Sequence, residues 1–302
     1  MAEVAGTPSP TTGKPYTVSL LCRVWNVSRS NVYFLAAKQE ADGSEPARRR
    51  GPQGPCSDDA MVGHIRGVIE DSPFVGEGYR KVWARLRYTH GIRKSKDRVR
   101  RLMRENDLQG HYHPRRQHGN KARDGRITTD TPNEMWGTDA CAVMTRKHGL
   151  VTVFLAIDHC TSECIGLHAA KPGTAYEALE PIRQGLQKHF GGYDEGVASG
   201  LALRHDHGSQ YTSDLFQREL EFLGVRSTTS YVAEPECNGV SERFVKTLKE
   251  QCLWLHAFDT VEDVLKALAT FKETYNQGWM VAKHGYRSPV RARERLLARA
   301  AA

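Results

Sequence analysis

Three acidic side chains sit in surroundings that suit work on phosphate. Asp139 lies in Met135-Trp136-Gly137-Thr138-Asp139-Ala140, an apolar run with strand character, and Asp206 directly follows Leu203-Arg204-His205. Glu242 lies in Asn238-Gly239-Val240-Ser241-Glu242-Arg243-Phe244, which opens a helix-like run, and 35 residues separate it from Asp206. A hard divalent cation such as Mg²⁺ takes oxygen ligands and keeps several of its waters. Three carboxylates meeting at one spot can hold two such ions for in-line displacement at phosphorus, one at the attacking oxygen and one at the leaving oxygen. Any long chain contains many acid triplets, so the weight rests on what surrounds each of them.

Glu242, Lys246 and Lys249 fall at i, i+4 and i+7, one face of a helix expected to run from Asn238 to Trp254. Phe244, Leu248, Cys252 and Leu255 take another face, suited to a core. The two lysines are either helix-stabilising partners worth ~0.3–0.5 kcal/mol, or grips for phosphates beside a scissile bond. Ala233 to Cys237 and Asn238-Gly239 read as a mobile loop beside this face.

The chain has 302 residues, 39% of them hydrophobic and 26% charged, enough for two or three compact units. No apolar run approaches the ~20 residues that cross a bilayer, and the first residues show no basic-then-apolar leader. Cytoplasmic residence is therefore expected. Seven cysteines without a Cys-x-x-Cys pair argue against a disulfide framework or a structural zinc site. The net charge is +8, yet Gly76 to Asp130 alone holds 16 Lys/Arg against 6 Asp/Glu. Basic charge gathered in one segment points to a polyanion such as DNA.

The elements that must position these groups fall into segments. Residues 1–15 are expected to be a flexible tail. Residues 16–38 read as a helix-turn-helix, with Leu21, Val24 and Trp25 on one face, Val32, Leu35 and Ala36 turned inward, and Ser28 as a cap. Arg29, Ser30 and Asn31 then open a second helix suited to a major groove. Residues 39–56 are a linker whose Arg48-Arg49-Arg50 could touch a phosphate backbone.

Residues 57–110 form a second helix-turn-helix-like unit. Its helix from Tyr79 to Tyr88 is expected to turn Trp83 inward and Arg80, Lys81, Arg85 and Arg87 outward. Its last helix, capped by Ser95, would expose Lys96, Arg98, Arg100, Arg101 and Arg104 and lie along DNA. Residues 111–130 are a basic linker with His111, His113 and His118 but no partner cysteine pair, which argues against zinc.

The catalytic core is expected at 131–292, with a tail at 293–302. Strands are read at 134–144, 150–157, 163–169, 201–205 and 225–230, and helices at 175–190 and 213–223. The turn Thr145-Arg146-Lys147-His148-Gly149 forces the first two strands antiparallel. His159, Cys160, Cys164 and His168 are read as packing residues. The order gives an α/β core, a mixed five-stranded sheet flanked by helices, preceded by small all-α units.

The stretches around the three acids resemble the catalytic signatures of insertion-sequence transposases of the IS-three family, OrfB type, within the DDE group that includes retroviral integrases. They are Trp136-Gly137-Thr138-Asp139, Asp206-His207-Gly208-Ser209-Gln210-Tyr211-Thr212-Ser213, and Asn238 to Phe244 with Thr247-Leu248-Lys249. Gly78-Tyr79-Arg80-Lys81-Val82, Arg98 to Asn106, Tyr275-Asn276 and His284-Gly285-Tyr286-Arg287-Ser288-Pro289 add to the likeness. It runs over nearly the whole chain from Tyr16, with His207 and Cys237 standing where many relatives carry Arg and Asp.

The resemblance implies an RNase H-like core in which Asp139, Asp206 and Glu242 are catalytic and hold two Mg²⁺ (or Mn²⁺) ions. Asn238, Arg243, His207 and Gln210 would join Lys246 and Lys249 as DNA contacts. Water or a DNA 3′-hydroxyl would attack a phosphodiester, giving cleavage and strand transfer at element ends without a covalent protein intermediate. Expected partners are double-stranded DNA, both terminal inverted repeats and target, and further copies of the chain in a synaptic complex; no membrane is involved. The setting would be the bacterial cytoplasm, at the nucleoid. Two rivals remain open: a DNA-binding repressor or domesticated protein whose acids no longer bind metal, and a nuclease that only hydrolyses.

Overall fold

A computed structural model describes residues 4–40, 56–110, 129–229 and 239–300. The chain divides into two compact units, Met1–Ser57 and Asp58–Ala302. No helix among the described residues is long and apolar enough to cross a membrane.

In the first unit, Thr17 caps α1 (Val18–Val24) by accepting the Leu20 N–H, and Asn26 turns the chain at φ 52. Ser28 accepts from the Asn31 N–H at the start of α2 (Arg29–Glu40). Within the segment expected to be a flexible tail, Pro8 forms an isolated bridge with Pro15. The apolar faces are a correction to the sequence reading: Leu21 and Cys22 are buried, but Val24, Trp25 and Leu35 are exposed, as is Ala36. Two short helices offer each other one narrow seam, too little to cover both apolar stripes.

The second unit begins with α3 (Asp58–Glu70), α4 (Tyr79–Tyr88) and α5 (Lys96–Glu105). Apolar residues at three- and four-residue spacing (Met61, Ile65, Val68, Val82, Leu86, Val99, Leu102, Met103) make its core. It docks on the rest of the unit. The Gln251 amide bonds both the N–H and the carbonyl of Val75, at 2.9 Å each. Arg85 donates to the Gly278 carbonyl and pairs with Glu77, and Lys81 lies over the Trp279 ring. Lys81 and Arg85 thus face inward, against the expectation, and burial pulls the Lys81 ammonium down to about 7. Trp83, expected inward, is half-buried.

The sheet has five strands in the order β3-β2-β1-β4-β5: β1 (Met135–Thr145), β2 (Gly149–Asp158), β3 (Cys164–Ala170), β4 (Ala202–His205) and β5 (Arg226–Thr229). The hairpin after Thr145 makes β1 and β2 antiparallel, β3 continues antiparallel, and β4 and β5 run parallel to β1. This is the RNase H-like arrangement. Strand alternation splits the core. On one face Cys141, Val153 and Leu155 pack against α9 (Gly239–Leu248) and α10 (Val261–Gly278). On the other, Trp136, Phe154 and Ala156 meet α6 (Ala175–His189), α7 (Ser209–Thr212) and α8 (Asp214–Phe222).

Helix α6 lies so close to β3 that a Cβ on Gly166 would stand 2.1 Å from the Pro181 carbonyl oxygen. Backbone cannot yield as a side chain can, so Gly166→Ala is expected to destabilise by about 3 kcal/mol. The urea midpoint should fall with the m-value unchanged; a shift under about 1 kcal/mol would show that α6 can slide.

The residues read as a carboxyl-terminal tail are instead most of α11 (Pro289–Ala300), anchored by buried Ala292 and Arg293. Arg293 bonds Glu163, donates to the Asn133 side-chain oxygen at 2.9 Å, and approaches Asp158 at 3.8 Å. The Tyr275-Asn276 motif is structural as well. The Asn276 amide pairs with the N–H and carbonyl of Cys164 at 2.8 Å each, and the Tyr275 hydroxyl donates to the Ser162 carbonyl. Cys160 and Cys164 are buried, and His168 bonds Glu177 on α6.

Candidate active site

Asp139 shares its face of β1 with Cys141, two residues on, so its side chain points to the side covered by α9. Strand β4 pairs with β1 in parallel register, Met135 with Ala202, Trp136 with Leu203 and Gly137 with Arg204. Continued past the paired residues, the same offset puts Asp206, directly after β4, on the same side of the sheet as Asp139. Glu242 rides in the first turn of α9, whose Phe244 and Leu248 bury against the sheet.

The electrostatics register this meeting. Asp139 is pushed up to about 6, first by burial and then by the negative charges of Asp206 and Glu242; the Ala140 N–H and Lys249 work in the other direction. Partial loss of hydration also raises Glu242. The approach is not a closed ligand cage. Among the described residues no three His, Cys, Asp or Glu side chains stand close enough to hold an ion. Two of the acids are instead engaged locally, Asp139 by the Ala140 N–H at 2.7 Å and Asp206 by the Gly208 N–H at 2.8 Å. The donor set still fits a hard cation in kind, since all three groups offer carboxylate oxygens. The crowding of like charge around Asp139 is what a bound cation would relieve.

Helix α9 does not run straight to Trp254 as expected. It widens into a π-turn over Lys249–Leu253, a feature that recurs at functional positions. Lys249 is half-buried and acts electrostatically on Asp139 and Cys141. Lys246 stays exposed, 3.6 Å from Glu250. Beyond the wide turn Leu255, expected in the core, is 47% exposed.

Arg243 and His207 are exposed. Gln210 is half-buried, and its amide crowds Gly208 so closely that a Cβ there would meet it at 2.5 Å. Asn238 and the 233–237 loop lie outside the described residues, as do His111, His113, His118 and Arg48 to Arg50.

Two buried groups brace Asp139 from the opposite face of β1. The Thr138 hydroxyl donates to the Leu155 carbonyl at 2.7 Å and meets the Tyr211 hydroxyl at 3.4 Å. Sequence reasoning passed over both; strand alternation beside Asp139, with a Tyr five residues after Asp206, was the available signal.

Arg29, Ser30 and Asn31 are exposed on the first turn of α2. On α5 the five cations divide. Lys96, Arg100 and Arg104 face solvent, whereas Arg98 and Arg101 bond Asp58 at 2.9 and 2.8 Å and fasten α5 to α3. Those bonds hold the Asp58 carboxyl below its usual range, Arg101 first.

Family profiles match at both ends of this arrangement: an HTH-like domain over residues 57–116 and an integrase core domain over residues 223–289. The transposase InsD for insertion element IS2A/D/F/H/I/K of Escherichia coli is 28% identical over 277 residues, covering 90% of this chain and 89% of that protein. An Escherichia coli protein described as the insertion element IS2A uncharacterized 48.2 kDa protein is 27% identical over 286 residues; this chain spans 65% of its length. The catalytic core domain of BIV integrase aligns with 56% of this chain and 99% of its own at 19% identity, with a TM-score of 0.41. The HTH-like profile, the integrase-core profile and the nearly end-to-end similarity to InsD together support an insertion-sequence transposase of the IS-three family, OrfB type.

Proposed function

We propose that this chain cuts DNA at the ends of an insertion element and joins those ends to target DNA, with Asp139, Asp206 and Glu242 as the catalytic carboxylates. What supports this reading is the placement of the three acids, Asp139 on β1, Asp206 just after β4 in parallel register with β1, and Glu242 in the first turn of α9, close enough for Asp206 and Glu242 to act on the Asp139 carboxyl. Those three acids would hold divalent magnesium or manganese, two ions, which when bound lower the pKa of the attacking group and offset charge on the leaving oxygen.

The protein's own part is positioning. Two strands and a helix fix the carboxylates, while Lys249, Lys246, Arg243 and His207 present positive or donor groups to the phosphates on either side. No side-chain nucleophile is required. A water or a 3′-hydroxyl oxygen forms the new P–O bond as the bond to the 3′-oxygen of the cleaved strand breaks. Arg29, Ser30 and Asn31 on one unit, and α5 on the other, would engage duplex outside the core, and joining two ends calls for more than one copy.

The test uses the full chain, duplexes carrying the element's terminal inverted repeats, and Mg²⁺ or Mn²⁺. Cleaved and joined strands are expected from the wild type and neither from Glu242→Gln. Equal products from both proteins would remove this active site. Products confined to hydrolysis would identify a nuclease, and DNA binding without products a repressor.

A further inference from the structure

Four cations on α4 and α5 lie against aromatic rings and, among the described residues, make no ion pair with an acid. Arg80 and Arg100 stand 5.8 and 5.6 Å from the Tyr79 ring centre. Arg87 stands 5.7 Å from Trp83, and Lys96 lies 4.4 Å from Trp83 and 5.7 Å from Tyr286. Arg80, Lys96 and Arg100 are exposed. This differs from Arg98 and Arg101 on the same helix, whose charge Asp58 already meets.

Tyr286 comes from far along the chain, in the turn between α10 and α11. It is held at φ 62, directly after Gly285 at φ 66. A bulky residue in the left-handed region is unusual and persists only where its surroundings fix it. Here the Tyr286 N–H bonds the Val281 carbonyl at 3.0 Å, and Val281 pairs with Arg287. The contorted turn sets the ring edge-on to Trp83 at 5.7 Å, while the Trp83 indole N–H is tied to the Lys94 carbonyl at 2.8 Å. The core therefore supplies one ring of the basic face on the helical unit.

We propose that Arg80, Lys96, Arg100 and Tyr286 form one composite face for the phosphate backbone of duplex DNA, so that bound DNA spans the helical unit and the 281–287 turn of the core. Cations held against rings are pre-ordered and lose little freedom when they meet phosphate. Single-stranded DNA needs uncovered ring faces on which bases stack, and the rings of Tyr79, Trp83 and Tyr286 already carry cations. Duplex is the better fit.

The inference rests on the reading that this chain acts on DNA, and the experiment separates the two. Binding of the full chain to a fluorescent duplex of arbitrary sequence is followed by anisotropy as salt is raised. The double variant Arg80→Ala/Arg100→Ala is expected to bind about tenfold more weakly, with its log–log salt slope reduced by about 2, since each phosphate contact contributes about 0.9. Tyr286→Ala is expected to weaken binding severalfold at an unchanged slope, and Tyr286→Phe, which keeps the ring, to match the wild type. Melting temperatures of all variants serve as the folding control. If the wild type binds duplex and the double variant keeps the full slope, the composite face is wrong while the DNA reading stands. Tighter binding of single strands, lost in these variants, would also overturn it. A wild type that binds no duplex at low salt removes the DNA reading and this face with it.

Discussion

Replacing Asp139 by Asn is expected to abolish strand cleavage and joining while making the metal-free protein more stable at pH 8. The two effects share a cause. The carboxyl is half-buried beside two other acids, and its proton is held up to about 6 rather than at the usual 3.8. A carboxylate that is harder to ionise in the folded state than in the unfolded chain costs stability once ionised. That cost is fully present above about pH 6 and is relieved as pH falls towards 3.8.

The amide carries no such charge, so Asp139→Asn should gain about 1–2 kcal/mol at pH 8 in chelator, allowing for partial hydration of the site. The gain should vanish near pH 4. If the three acids hold the metal as proposed, saturating Mg²⁺ should reverse the order, because the variant would lack one ligand and binding favours the folded state. The loss of activity should be at least about 10³-fold, as several kcal/mol of charge stabilisation in the transition state disappear. A melting temperature that is unchanged or lower at pH 8 in chelator would show that the three acids do not burden one another. Residual cleavage near the wild-type rate would displace Asp139 from the chemistry.

The second large effect lies away from the acids. Arg293→Met is expected to destabilise the fold by about 3–5 kcal/mol at pH 7, the cost of removing one partner from a buried charge cluster. Arg293 is the contact through which α11 reaches Glu163 and Asp158. Burial alone would raise the Glu163 carboxyl; Arg293, followed by Lys188 and His189, brings it below its ordinary value. A carboxyl depressed in this way stabilises the fold above about pH 4.5, and that contribution is lost as pH falls through the folded value.

The gap between wild type and Arg293→Met should therefore be widest at neutral pH and narrow on acidification. Lys188, 2.8 Å from Glu163, softens the loss without replacing the forked guanidinium. Urea unfolding at pH 7 and pH 4 measures both quantities. A difference under about 1 kcal/mol at pH 7 would mean that α11 contributes little to holding the core.

Much of this was legible in the sequence, and the misses have physical reasons. The strands carrying Asp139 and Asp206 announce themselves as apolar runs ending in turns, and the helix bearing Glu242 as a periodic apolar face. These are local patterns: the observed strand ends differ from the expected ones by one residue, while the helix starts one residue late and keeps α geometry only to Leu248, where the π-turn begins. Lys81 and Arg85 were read as outward because a helix rich in cations does not reveal which of them meets a partner. Their partners at Gly278 and Trp279 lie about two hundred residues away, and Glu77 precedes the helix. Arg293 reads as part of a tail for the same reason, its acids being Asp158 at the end of β2 and Glu163 just before β3. The π-turn at Lys249 has no periodic signature, because one extra residue per turn leaves the spacing of Phe244 and Leu248 untouched. In the first unit, apolar spacing gave the helices correctly but could not say that so little would cover them.

The side-by-side pairing of β1 and β4 frees evolution in one direction. Since the ladder, not the length of intervening chain, sets how near Asp139 and Asp206 lie, everything from Arg146 to Leu201 can lengthen or shorten without parting the two acids, provided the strands still align. Relatives with altered loops or a longer α6 should thus keep their reaction centre intact. A single residue lost within Met135 to Gly137 is another matter, for it would turn the first acid to the opposite side of the sheet.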